Sequence, residues 1–145
     1  IGEIVKSSAK LVAHQNRGER IEIKIEEAKN LPLVNADEGQ IQQAIIALAT
    51  NAIDAMPDGG TLSFNIFTER NRLIIEVKDN GIGISPDDLT KVFEPFFTTK
   101  EVGKGTGLGL AVCYGIITEH GGRLTVGSKL GVGTTFTISL PTHKG

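Results

Sequence analysis

Asp79-Asn80-Gly81-Ile82-Gly83-Ile84, then Phe93-Glu94-Pro95-Phe96-Phe97-Thr98-Thr99-Lys100, then Gly103-Lys104-Gly105-Thr106-Gly107-Leu108-Gly109-Leu110 are the runs around which the rest of the chain is arranged. Two glycine clusters flank an aromatic loop, with an apolar strand feeding in before them and an apolar helix leaving after them. A carboxylate at a strand end, followed by glycines, lets backbone approach a flat ligand while the acid accepts a hydrogen bond. Glycines opening a helix leave N–H groups unpaired and pointing outward, which makes an anion site. Base at one end and phosphates at the other is the simplest joint reading, so the stretch predicts a nucleotide pocket.

Working outward, Arg72–Asp79 and Thr61–Glu69 read as two strands joined by a hairpin at Glu69-Arg70-Asn71-Arg72. Upstream of them, Asp37 opens the longest apolar helix, with Gln40 three residues on, and Pro57-Asp58-Gly59-Gly60 stops it after Met56. Ile41, Ala44, Ile45, Leu48, Ala52, Ala55 and Met56 form a wide apolar arc on it, widened by Ile46, Ala49 and Ile53. Gln40, Gln43, Ala47, Asn51 and Asp54 share the narrow remaining stripe, which either faces water or lines a cavity. Ile1 to about Asn16 has helical spacing and ends before Gly18. Ile21–Glu26 alternates as a half-buried strand, and Leu31-Pro32-Leu33-Val34 is short and extended.

Downstream, Ser85 caps a short helix with Pro86 at its first position, and 95–107 shows no periodicity and reads as a long loop. Leu108–Glu119 is the last helix, closed by His120-Gly121-Gly122, and Arg123–Ser128 and Thr134–Leu140 are the last strands. Helices in one layer over a mostly hairpin-linked sheet make a two-layer α/β sandwich.

The 145 residues suit one domain, 1–145, large enough to bury roughly 68–70% of its unfolded surface. A net charge of −2 gives no electrostatic reason to invoke nucleic acid or a membrane surface. The single Cys113 excludes an internal disulfide and a thiolate zinc cluster and fits a reducing, cytoplasmic compartment. No apolar run reaches the ~20 residues needed to span a bilayer, and no signal-peptide pattern opens the chain.

With Asn51, Asp79 and the two glycine clusters in order, the pattern resembles the catalytic ATP-binding domain of bacterial sensor histidine kinases, in the superfamily shared with gyrase-type and mismatch-repair ATPases. Asn51-Ala52-Ile53-Asp54-Ala55-Met56 is similar to its N box and Asp79-x-Gly81-x-Gly83 to its first glycine box. Phe93–Phe97 is similar to the F box, Gly105-Thr106-Gly107-Leu108-Gly109 to the second glycine box and Gly131–Phe136 to the terminal one. The wording FEPFFTTK around the F box resembles the nitrogen-regulation branch. The likeness implies a mixed, mostly antiparallel sheet with about three helices. It also implies ATP and Mg²⁺ as cofactors, and transfer of the γ-phosphoryl to a histidine.

On that resemblance Asp79 would accept from the adenine amino group, with Gly81, Gly83 and Ile84 beside it, although Asp79 alone reads equally as a turn aspartate. Asn51 would place its amide oxygen on Mg²⁺, with Asp54 nearby on the same stripe. Gly105, Thr106, Gly107, Leu108 and Gly109 would meet the phosphates. Thr98, Thr99 and Lys100 would join them, Lys100 as catalytic countercharge beside Asn51, whereas Lys104 reads as a solvated loop lysine. Phe93, Phe96 and Phe97 would anchor a lid or pack in the core, and Thr134 or Thr135 would reach the adenine or simply belong to the strand. Residues 98–107 are expected to be mobile without nucleotide and to order with the γ-phosphate.

Two departures shape the reading. Four residues before Asn51, where the family carries a polar residue and its hydrolytic members a water-activating glutamate, this chain has Ala47. Alanine cannot act as a base, which favours a histidine acceptor over water. Second, none of His14, His120 and His143 is followed by an acid, so the phosphoacceptor motif is absent. The chain is therefore expected to be the kinase half of a longer, homodimeric parent, itself monomeric when isolated. Its partners would be the parent's dimerisation and phosphoacceptor domain and, downstream, a response-regulator receiver domain, with membrane attachment of the parent left open.

Overall fold

Alternating apolar residues build the sheet and helical apolar arcs cover one of its faces. The computed structural model describes residues 1–15, 20–94 and 109–142, with the side chains of His14 and Gln15 outside that description. The elements run α1 (Gly2–Gln15), β1 (Ile21–Glu27), α2 (Glu38–Asp54), β2 (Gly60–Glu69), β3 (Arg72–Asp79), α3 (Pro86–Leu89), α4 (Gly109–Glu119), β4 (Arg123–Lys129) and β5 (Gly133–Pro141). The five strands form one sheet in the order β1-β2-β3-β5-β4. β1 pairs with β2 in parallel across the α2 crossover, and the other three pairings are antiparallel. The expected mixed two-layer sandwich is what forms. Residues 31–34, read as extended, join no strand.

Register decides which residues face the helices. Leu62, Phe64 and Ile66 of β2, Leu73, Ile75 and Val77 of β3, and Phe136, Ile138 and Leu140 of β5 all enter the buried core. The residues between them form the outer face. The β2–β3 turn is tight because Arg70 and Asn71 both take left-handed φ values of 52° and 61°, as a two-residue hairpin with the right twist requires.

α2 is the spine of the helical layer. Asp37 caps it by accepting the Gln40 N–H at 2.9 Å. Ile41, Ala44, Ile45, Leu48, Ala49, Ala52 and Ile53 are buried, because α1 and α4 flank the helix and the sheet lies beneath it. Each large aliphatic chain buried there contributes about 1.5–3 kcal/mol. The polar stripe survives as exposed Gln40, Gln43 and Asp54 and half-buried Ala47 and Asn51.

α4 lies against α2 in the opposite sense. At its end the His120 ring donates from Nδ1 to the Ile116 carbonyl at 2.8 Å. Its Nε2 accepts the Asp37 N–H at 3.0 Å. His120 therefore caps α4 and bridges it to the start of α2. Cys113, inside α4, is buried, and burial pushes its thiol up to about 12. It is a packing residue rather than a reactive one.

Candidate nucleotide site

Antiparallel register aligns three polar side chains in one row. Asp79 of β3 lies directly opposite Thr134 of β5, which lies directly opposite Ser128 of β4. Directly opposed residues share a face, and this row ends the helix-facing apolar rows of those strands. Asp79 is 2% exposed and Thr134 4% exposed. Oδ1 of Asp79 accepts the Gly81 N–H at 2.9 Å and the Thr134 N–H at 3.2 Å. The other carboxylate oxygen, Oδ2, takes no hydrogen bond among the described residues. Desolvation lifts the Asp79 carboxyl above the ordinary aspartate range, and the two backbone N–H groups oppose that rise.

The loop after Asp79 is held at three points. The Ile82 N–H donates to the Ala55 carbonyl at the end of α2, and the Ile82 carbonyl accepts the Gly131 N–H, both at 2.9 Å. The Ile84 N–H donates to Ser128 Oγ at 2.7 Å. The glycines follow from these anchors. A Cβ on Gly81 would lie 2.2 Å from the Ala55 carbonyl oxygen, and one on Gly83, at φ +79°, 2.3 Å from that of Lys129. Close approach to protein backbone accounts for the glycine at both positions.

That loop draws the end of α2 toward the sheet. Asn51 sits one turn before Ala55, half-buried, and its side chain makes no hydrogen bond among the described residues. Ala47 lies one further turn back, where a Cβ on Gly109 at the start of α4 would come 4.0 Å from the Ala47 Cβ. The unpartnered amide of Asn51 therefore lies on the α2 stripe that passes the start of α4. No three His, Cys, Asp or Glu side chains converge as a metal cage among the described residues.

Residues 36–144 match the family model described as histidine kinase-, DNA gyrase B-, and HSP90-like ATPase. The chain belongs to that family. It is 47% identical over 139 residues to the sensor kinase CckA of Brucella abortus (strain 2308), covering 86% of this chain and 15% of that protein. It is 36% identical over 143 residues to the sensor histidine kinase ZraS of Escherichia coli (strain K12), covering 99% of this chain and 30% of that one. The chain thus spans less than a third of the length of these relatives. Among solved structures, the catalytic domain of the histidine kinase ThkA superposes with a TM-score of 0.84 at 31% identity, covering 97% of this chain and 92% of that one. Full-length ShkA in complex with AMPPNP gives a TM-score of 0.86 at 30% identity, covering 97% of this chain and 30% of that one. The chain is the catalytic ATP-binding domain type of sensor histidine kinases.

The site residues named from sequence divide accordingly in this kinase domain. Asp79, Gly81, Gly83, Ile84 and Thr134 gather at the sheet end, and Asn51 and Asp54 lie on the last turns of α2. Thr135 is separated from them, because the next residue along a strand points to the opposite face of the sheet. Phe93 stacks on Tyr114 at 5.2 Å between centroids and meets Phe136 edge-on at 6.2 Å. Its ring is thus engaged with protein, as an anchor to α4 and β5. Thr98, Thr99, Lys100, Gly105, Thr106, Gly107 and Leu108, with Phe96, Phe97 and Lys104, lie outside the described residues, as does the 98–107 segment expected to be mobile. Gly109 is the first residue of α4. Two residues escaped the sequence reading. Ser128 joins Ile84, Gly133 and Thr134, and Asn80 accepts the Thr61 N–H at 2.9 Å. Neither carries a motif; only pairing register reveals Ser128.

Proposed function

We propose that this domain binds Mg-ATP and delivers its γ-phosphoryl to a histidine on the dimerisation and phosphoacceptor domain of a sensor kinase, for relay to a response-regulator aspartate. One observation carries the reading: a nearly inaccessible carboxylate with one oxygen held by backbone and the other without a partner among the described residues. Adenine's amino group is a donor suited to that oxygen. Asn51 would hold the metal through its amide oxygen, and the ion, when bound, supplies charge neutralisation of the phosphates. Lys100 would add countercharge, with Thr98, Thr99 and the 105–109 run on the phosphates. Asn51 and Lys100 are the residues assigned to catalysis. Asp54 stays in the site by its position on the α2 stripe.

The chemistry asked of the protein is positioning. A neutral imidazole nitrogen of the acceptor forms the new N–P bond as the bridging P–O bond to the β-phosphate breaks and ADP leaves. Ala47 puts no general base at the position one turn before Asn51, where the hydrolytic relatives carry their water-activating glutamate. That favours phosphotransfer over hydrolysis. On the wording of 93–100 we further place the parent near the nitrogen-regulation branch, as a cytoplasmic catalytic portion of a homodimer, with no nucleic-acid partner.

Incubating the domain with γ-labelled ATP and the parent's phosphoacceptor domain tests this. Acid-labile, base-stable label on the acceptor is the expected result. Release of free phosphate instead identifies an ATPase, acid-stable label a serine kinase, and neither a nucleotide-binding module without catalysis.

A further inference from the structure

We infer that Ser128, through the hydroxyl of Thr134, sets the hydrogen-bond polarity of the base site and thereby its preference for adenine over guanine. The inference rests on the proposal that Asp79 and Thr134 face the nucleotide base.

Ser128 Oγ has three polar neighbours and one hydrogen. The Ile84 N–H, at 2.7 Å, can only donate to it. The Gly133 carbonyl oxygen, at 3.0 Å, can only accept from it. Thr134 Oγ1, at 2.8 Å, can do either. If the serine hydrogen goes to Gly133, Thr134 must donate to Ser128, and all three contacts become hydrogen bonds. If it goes to Thr134 instead, two oxygens face each other at 3.0 Å with no hydrogen between them. Only the first arrangement satisfies every contact.

The Thr134 hydrogen is therefore spent within the protein, and its hydroxyl can offer a ligand only lone pairs. Asp79, directly opposite, offers Oδ2, an acceptor when ionised. The row as a whole presents acceptors. A purine with an amino group at position 6 matches it, and a purine with an oxygen there sets acceptor against acceptor. Sites that leave a polar group unmatched discriminate far more sharply than apolar ones. Ser128 touches no base in this scheme; it is a positioning residue that denies Thr134 the freedom to turn its hydrogen outward.

The test is calorimetric affinity for ADP and GDP with the unaltered chain, S128A and S128T. The unaltered chain should favour ADP, and S128T, which keeps a hydroxyl, should retain that ratio. S128A frees the Thr134 hydrogen, and the ADP-over-GDP ratio should fall by about tenfold, the scale of one neutral hydrogen bond exchanged for its opposite. If S128A weakens both nucleotides equally, Ser128 only props the Ile84 loop and the inference is overturned. Should S128A not fold, S128V against S128T, alike in shape and differing in the hydroxyl, decides on the same ratio. An unaltered chain that binds both nucleotides alike, or neither, overturns the base-site reading itself and the inference with it.

Discussion

The two ends of the site are built on opposite plans. At the sheet end, Asp79, Thr134 and Ser128 are bonded to one another's strands and to the 79–84 loop before any ligand arrives. On α2, Asn51 holds an amide that no described neighbour engages, on a helix whose other faces are buried. The difference is one of when the ordering cost is met. On the proposed reading, the groups that face the base are already fixed by folding, so the ligand loses little to arrange them. Asn51, proposed above to hold the metal, is positioned by its helix and on that reading gains its partner only with the ligand. Specificity should therefore concentrate at the first end and dependence on the ion at the second.

The largest effect should come from breaking the first end. Asp79→Asn must keep its oxygen on the Gly81 and Thr134 N–H groups, which turns its amide NH₂ toward the base. A donor then meets the adenine amino group, and the charged acceptor is lost, a change of about 1.5–3 kcal/mol. ADP affinity should drop by about tenfold to more than a hundredfold, while GDP affinity holds or improves, because the amide NH₂ can donate to its position-6 oxygen. Calorimetry with the two nucleotides gives the answer, and unchanged ADP affinity in a folded variant would take Asp79 out of the base site.

Next in size is Asn51→Ala, which should leave the fold and metal-free ADP binding intact while removing most of the tightening by Mg²⁺. Water can occupy the vacated ligand position, so we expect about a tenfold loss in the presence of the ion. Titrations with magnesium and with a chelator compare the two. A magnesium effect of full size in the variant would assign the ion to other groups.

Ala47→Asn sharpens the contrast by adding a second amide one turn before Asn51 on the same stripe. A neutral amide contact is worth about 0.5–1.5 kcal/mol, so the magnesium dependence should strengthen by several-fold while the ADP-over-GDP ratio stays put. A shift in that ratio would show that the two ends are not independent.

Acidity provides the smallest and most telling effect. Burial lifts the Asp79 carboxyl, so the folded chain still holds this proton after the unfolded chain has released it. Its contribution to stability is complete below the ordinary aspartate value and is lost as pH rises through the raised one. Adenine affinity should run the other way, improving across the same window as the carboxylate forms. Urea midpoints and ADP affinities measured over one pH series, against Asp79→Asn as reference, should show the two slopes with opposite signs.

Much of this was legible because local chemistry and tertiary structure agree. Asp37 caps α2 through Gln40, Ser85 caps α3 by accepting the Asp88 N–H at 3.2 Å, and β3 runs Arg72–Asp79 as its pattern indicates. What escaped depends on pairing between distant strands. Nothing local tells that β1 and β2 run parallel, or that Thr134 rather than Thr135 shares a face with Asp79. Ser128 carries no motif of its own, and its role exists only because Thr134 and Ile84 arrive beside it. The purpose of Gly81 and Gly83 was likewise invisible, since the atoms that crowd them come from α2 and β4.

Those crowded glycines bear on how decayed relatives should be recognised. A lineage that abandoned phosphotransfer but kept this architecture would be released from selection on the Asp79 carboxylate and the Asn51 amide. It would stay bound to glycine at 81 and 83, where any side chain runs into a backbone carbonyl. The glycine signature would outlive the enzyme. Inactive descendants should thus be told apart by the two polar side chains, and a glycine pattern alone is testimony about ancestry.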